Sequence, residues 1–216
     1  MDPGLSDLLK WGVENSSSTA NEASLAPRSP RALDPAALNV LFGGPSDAEL
    51  MRLSMAAIIS DDDDVSLDDK MVAFDNLEQL IENLDNANNL GPLGLWTPLL
   101  GCLADARPEM RTMAAWCVGT AVQNNEPSQE RLLAMNGIPP LARIAANKDE
   151  GSKVRRKAIY ALSSACRNYQ PAMDVLTAAL EKLGRPATTV DATDMEACDA
   201  LFDDLKGYVT VAVKAA

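Results

Sequence analysis

Apolar residues in the middle of this chain recur with the spacing of one helix face. Met110, Met113, Ala114, Cys117, Val118 and Ala121 fall at i, i+3, i+4, i+7, i+8 and i+11, a stripe that predicts an amphipathic helix buried on one side. The stripe returns 44 residues later as Val154, Lys157, Ala158, Ala161, Leu162 and Ala165, with a lysine whose ammonium is expected to snorkel to water. The two stretches also match as text: Arg111 with Arg155, Trp116 with Tyr160, Asn124 with Asn168 and Pro127 with Pro171. A third copy lies upstream at an offset of 42, where Phe74 precedes Trp116 and Pro98 precedes Pro140. Between the long helices, Gly94-Leu-Trp-Thr-Pro98 and Gly137-Ile-Pro-Pro140 each read as a glycine turn followed by a fresh helix. Periods of ~40–47 residues mark armadillo and HEAT arrays. The expectation is an all-α, armadillo-like helical repeat solenoid, an architecture built for recognition.

The flanks read differently. In residues 1–32, Leu5, Leu8, Leu9 and Trp11 lie on one side of a short amphipathic helix, and the text from Glu14 to Ala32 is too poor in large apolar residues to offset chain entropy. A flexible N-terminal segment is expected. Residues 33–65 form a helical pair: Asp34-Pro35 opens a helix that ends at Gly43-Gly44-Pro45, and Ser46 to Glu49 is a capping box for a helix with Leu50, Leu53, Ala57 and Ile58 inward. The run Asp61 to Asp64 lacks the glycine and glutamate of a calcium loop and reads as solvated. Within the repeat region, 66–180, Ser66 caps a helix that carries Leu67, Met71, Phe74, Ile81 and Leu84 inward and runs to Asn86-Ala-Asn-Asn. In 181–216, Thr193 to Glu196 is a capping box for an end helix with Met195, Cys198, Leu201, Phe202 and Leu205 inward and Asp199, Asp203 and Asp204 outward, the polar cap a solenoid needs. Tyr208-Val-Thr-Val-Ala-Val reads either as a short strand or as a frayed tail.

Charge and composition narrow the chemistry. A formal net charge of −12 argues against nucleic acid or an anionic membrane surface as partner. The absence of histidine removes Ser-His and Cys-His nucleophiles, imidazole bases and imidazole metal ligands, and neither a P-loop nor a dinucleotide glycine motif occurs, so no enzyme activity, cofactor or metal is expected. No apolar run approaches the ~18 residues of a membrane span, and the start carries no signal-peptide pattern. Cys102, Cys117, Cys166 and Cys198 form no C-x-x-C pair and are expected to be reduced core residues of a cytosolic protein.

Opposite the core stripes lie Thr112, Ala115, Trp116, Gly119, Thr120 and Gln123 in one helix and Arg156, Ile159, Tyr160, Ser163, Ser164 and Arg167 in the next. Stacked in register, these faces would line a partner-binding groove bordered by Asn124 and Asn168 and, from the first copy, by Glu78, Glu82, Asn83, Asn86 and Ala87. Aromatic rings with arginine are frequent interface anchors. For Trp116 and Tyr160 the other reading, space-filling between repeats, stays open.

The words Ala73-Phe-Asp-Asn-Leu-Glu-Gln-Leu-Ile-Glu-Asn-Leu-Asp-Asn-Ala-Asn-Asn89 and Gly119-Thr-Ala-Val-Gln-Asn-Asn125, with Leu33-Asp-Pro, Leu41-Phe-Gly-Gly-Pro and Ala158-Ile-Tyr-Ala-Leu-Ser-Ser164, resemble the fungal armadillo-type nucleotide exchange factors of the 70-kDa heat-shock chaperone. The likeness spans roughly residues 5 to 176 and includes Leu8-Leu-Lys-Trp-Gly-Val-Glu-Asn-Ser16. It implies a cytosolic co-chaperone, with a nuclear fraction open, that embraces lobe II of the chaperone's ATPase domain and speeds ADP release; the chain itself is expected to be a monomer. It further implies that the N-terminal segment, through Leu8, Leu9 and Trp11, enters the chaperone's substrate groove and helps expel clients. After Leu176 the text Gly184-Arg-Pro-Ala-Thr-Thr continues no repeat, which leaves open the contacts that longer relatives make there. The alternative function is an armadillo adaptor holding an extended peptide of another partner.

Overall fold

The computed structural model describes residues 44–185 and 189–214, and only the backbone from 208 onward. The expected N-terminal helix with Leu5, Leu8, Leu9 and Trp11, the linker and the helix from Asp34 lie outside the described residues. The elements below belong to one unit, Asp47–Ala216. Among the described residues all regular structure is helical: α1 (Asp47–Ile58), α2 (Leu67–Ile81), α3 (Leu84–Asn89), α4 (Trp96–Gly101) running into a 3₁₀ turn (Cys102–Ala104), α5 (Pro108–Val122), α6 (Glu126–Ala134), α7 (Ile138–Ala146), α8 (Ser152–Cys166), α9 (Gln170–Lys182) and α10 (Met195–Lys214).

The three 15-residue helices α2, α5 and α8 lie side by side, α5 in the middle, with α1 against α2 and α10 against α8. The short helices sit between them in sequence and pack behind, α7 against both α8 and α9. This is a helical repeat solenoid. The repeat shows in the backbone itself. α5 ends at Gln123 (φ −66°, ψ 115°) and α8 at Arg167 (φ −64°, ψ 135°), each followed by an asparagine in the left-handed region, Asn124 at 51° and Asn168 at 58°. Asparagine tolerates that conformation better than most side chains. α6 and α9 then start from Asn125 and Tyr169 with matching dihedrals and end alike. The Gly137 N–H donates to the Leu132 carbonyl and the Arg185 N–H to the Leu180 carbonyl, with Asn136 and Gly184 at positive φ between them. These are Schellman caps that satisfy carbonyls a helix end leaves open. The repeat therefore runs past Leu176 to Arg185, further than the text showed.

Helix limits place the first copy at an offset of 41, one residue from the text alignment. In that register Phe74, Ala115 and Ile159 share a row, as do Leu77, Val118 and Leu162, and all six are buried. Each large member contributes roughly 1.5–3 kcal/mol on leaving water. Lys70, Arg111 and Arg155 form a third row, and each donates to main-chain carbonyls: of Ser60, of Asp105 and Ala106, and of Ala145. Arg155 is 1% exposed. In every copy this position ties the long helix to the main chain that precedes it: to a loop for Lys70 and Arg111, and to the last turn of α7 for Arg155.

Several expected details change. In α1 the inward set is Met51, Ser54, Met55 and Ile58, while Leu50 is half-buried and Leu53 is 62% exposed. Ser66 does cap α2, in a box with Asp69. That helix stops at Ile81, because Asn83 accepts from the N–H groups of Asp85 and Asn86 and starts α3. Leu84 is turned out of the core as a result. Ala115 and Ile159, expected on the outer face, are buried, as is Gly119, where an added Cβ would lie 2.4 Å from the Tyr160 ring. The cap of α10 is Asp194, whose carboxylate accepts from the Ala197 N–H, and Thr193 bonds to Asp191 instead. Met195 is largely outside, Leu201 half-buried, and Cys198, Phe202 and Leu205 are buried. Residues 208–214 continue the helix and form neither strand nor frayed tail. Where a third repeat helix would come, residues 190–192 are pinned to the start of α9: Ala192 accepts from the Asn168 N–H and donates to Gln170, which donates to Val190.

The four cysteines are buried free thiols. Burial pushes Cys102 up to about 11 and raises Cys117, Cys166 and Cys198 as well, so all four are protonated near neutral pH. Among the described residues no cluster could hold a metal ion, and no helix is long and apolar enough to cross a membrane.

Candidate functional site

The C-terminal halves of α2, α5 and α8 leave a cleft of about 560 Å³ lined by Glu78, Glu82, Leu84, Trp116, Thr120, Gln123, Asn124 and Tyr160. Its floor is held by pairs that each bridge two helices. The Thr120 hydroxyl of α5 donates to Glu78 of α2 at 2.7 Å, and the Tyr160 hydroxyl of α8 donates to Gln123 of α5 at 3.0 Å. Lys157 of α8 lays its ammonium on the Trp116 ring, 3.3 Å from the centroid. Small residues make this possible. Gly119 has no side chain to meet Tyr160, so the ring packs against α5 there and its hydroxyl reaches Gln123.

Seven of the sequence-predicted site residues are brought together here: Glu78, Glu82, Trp116, Thr120, Gln123, Asn124 and Tyr160. The other six are elsewhere. Asn83 caps α3. Asn86 is buried and donates to Asp47 of α1 and to the Leu80 carbonyl. Ala87 is 1% exposed, inside the core, because α3 starts anew at Asn83 and turns it inward. The Ser164 carbonyl accepts from Gln129 of α6. Arg167 faces α10, with its guanidinium paired to Asp199 at 2.6 Å and lying over the Phe202 ring. Asn168 shapes the turn before α9 and holds Ala192.

One lining residue, Leu84, and the lysine that lies on the Trp116 ring, Lys157, fall outside the predicted set. Leu84 was assigned to the core of an overlong α2. Lys157 was placed in the core stripe, yet its row reads Val72, Met113 and Lys157, of which the first is exposed and the other two half-buried. The signal was in the text: a lysine at a supposed core position already said that the position is not core. Burial disfavours the charge on Lys157, with Glu78 and Cys117 opposing, and the net shift of its pKa is downward.

A second depression, about 490 Å³, lies at the N-terminal ends of α5 and α8, between Met71, Glu109, Thr112, Met113, Lys153 and Val154. With Thr112 and Trp116 one turn apart on α5, the two depressions share one face of the helix stack.

Comparison with known proteins agrees with the resemblance in the text. The family model described as nucleotide exchange factor Fes1 matches residues 5–90. The chain is 58% identical over 206 residues to the Hsp70 nucleotide exchange factor FES1 of Gibberella zeae, covering 95% of this chain and 96% of that one. It is 46% identical over 240 residues to the Hsp70 nucleotide exchange factor fes-1 of Neurospora crassa, covering 95% and 98%. With the Hsp70 nucleotide exchange factor FES1 of Saccharomyces cerevisiae it shares 46% identity over 167 residues, 76% of this chain but 56% of that longer one.

Proposed function

This chain belongs to the Fes1 family of nucleotide exchange factors, and on that premise we propose that it binds the ATPase domain of Hsp70, accelerates ADP release and so promotes client release. The observation that carries the reading is the 58% identity to an Hsp70 nucleotide exchange factor across 95% of this chain. The face of α2, α5 and α8 supports it as the docking surface, since it presents Trp116, Tyr160, Thr120 and Gln123 in an open cleft with carboxylates on one side. No chemistry by this chain is needed. A partner that binds the open arrangement of the ATPase lobes more tightly than the closed one weakens ADP by that same difference in affinity. The finer reading, that lobe II is what the solenoid embraces, is part of the proposal. So is a role for residues 1–32, through Leu8, Leu9 and Trp11, in expelling clients from the Hsp70 substrate groove. We place this activity in the cytosol, a compartment that suits four free thiols. The adaptor alternative would need the aromatic ladder to continue onto α2, and Phe74 is in the core.

Stopped-flow release of a fluorescent ADP analogue from Hsp70 tests the proposal. Saturating protein should speed release many-fold without binding the analogue itself. An unchanged release rate would overturn it.

A further inference from the structure

The rings of the cleft already carry a cation. The Lys157 ammonium lies 3.3 Å from the centroid of Trp116 and 5.7 Å from that of Tyr160, both within the range at which a ring face attracts positive charge. Glu78 and Glu82 line the same cleft, and neither carboxylate takes part in any ion pair among the described residues. Glu78 accepts a hydrogen bond from Thr120 and is close enough to Lys157 to support its charge; Glu82 is exposed at the end of α2. Asp75, in the row of Trp116 and Tyr160, adds a further exposed carboxylate on α2. Two electron-rich rings and two carboxylates lining one cleft make a receptor for positive charge, and one half-buried ammonium does not balance it.

Resting on the reading that this face receives Hsp70, we infer that the cleft accepts a basic side chain of the partner, an arginine or lysine entering between the rings of Trp116 and Tyr160 and the carboxylates of Glu78 and Glu82, and that Lys157, whose ammonium lies on those rings in the free protein, is an internal competitor for them. Arginine suits the site best. Its planar guanidinium stacks on a ring while its fork pairs with a carboxylate, whereas the lysine in residence offers a point charge on a flexible stem that can swing out. The lysine keeps the rings apart from other side chains until the partner arrives. Its cost is that the partner must displace it.

Affinity for the Hsp70 ATPase domain, measured by calorimetry beside the ADP-release assay, tests the inference with wild type, Lys157→Met and Glu82→Gln. Lys157→Met keeps the stem and removes the competing charge, so binding should tighten about two- to fivefold. Glu82→Gln, at an exposed site with no structural bond, should weaken binding several-fold with melting unchanged. If Lys157→Met binds as wild type or more weakly, the lysine is not a competitor and the inference falls. If Lys157→Met fails to melt cooperatively, Glu82→Gln decides, and unchanged binding by that variant overturns the receptor. Wild type that neither binds nor accelerates release would overturn the function proposed above, a result distinct from either variant outcome.

Discussion

α5 and α8 are the same helix in length, register and capping, yet they bury different things. α5 stands between α2 and α8 and is enclosed nearly all round, with Ala114, Ala115, Cys117, Val118, Gly119, Ala121 and Val122 all buried. α8 has Val154, Ala158, Ile159, Ala161, Leu162, Ala165 and Cys166 inside but sends Lys157 and Tyr160 across onto α5. The inner helix is small where the outer one is large: Gly119 receives the Tyr160 ring, while Ser163, at the equivalent position of α8, keeps a hydroxyl that accepts from Arg167. The repeat fixes the backbone. Place in the stack fixes the size of the side chains, and the cleft is a product of that mismatch.

The largest effect expected from breaking this arrangement is at Ala87, which packs inside the core beside the stack. Ala87→Arg forces volume and charge into a closed site and should cost about 3 kcal/mol or more, read as loss of cooperative thermal melting. Wild-type melting would mean that α3 does not turn this residue inward. Next comes the comparison itself. In Gly119→Val the new side chain meets Tyr160 and, at 3.1 Å, the Ala161 backbone, so chemical denaturation should show a loss of about 1–3 kcal/mol. Ser163→Val, its counterpart on α8, should lose less than about 1 kcal/mol. Equal costs would show that the two helices occupy equivalent environments. The turns that follow them are predicted to behave alike. Asn124→Ala and Asn168→Ala each place an ordinary side chain at positive φ and should cost about 1 kcal/mol, and glycine at either place should be nearly neutral.

The smallest effect is in acid. Asp105, just before α5, accepts from the Arg107 side chain, and that bond together with the Arg107 N–H outweighs burial and holds the carboxyl at about 2, below its ordinary 3.8. Because the folded pKa is depressed, the stabilisation is present above about pH 4 and is lost as pH falls towards 2. The melting temperature should drop across that window, and Asp105→Asn should show a shallower drop from a lower starting point. An identical pH profile for the variant would remove this contact from the account.

The fold was legible because its periodicity is written in residue type: two copies 44 apart share arginine, aromatic, asparagine and proline at fixed places. The first copy slipped by one residue because Phe74 was matched to Trp116 as an aromatic, although the structure sorts residues by row, and Phe74 belongs with Ala115 and Ile159 in the core. Seven cleft residues were legible as the polar and aromatic positions opposite the core stripe. Ala87 and Asn86 were misplaced because a continuous helix through Asn83 looks the same in the text as a restart, and the difference is one side-chain cap. Lys157 was misread because the text alone does not show that a neighbouring helix offers it a ring. Arg167 was misread because its partner, Asp199, comes from the segment where the repeat stops.

The central claim is that the face carrying the cleft is where Hsp70 docks, and Thr120 is the place to test it. It is half-buried at the floor of the cleft, outside the core stripe of Ala114, Cys117 and Ala121, and bonded to Glu78. The measurement is the ADP-release rate from Hsp70 in the presence of Thr120→Arg, beside its melting curve. The account predicts a variant that still melts cooperatively, within about 1 kcal/mol of wild type for the lost hydrogen bond, and that no longer accelerates release. Acceleration equal to wild type by a folded Thr120→Arg would contradict it and move the docking surface to another face.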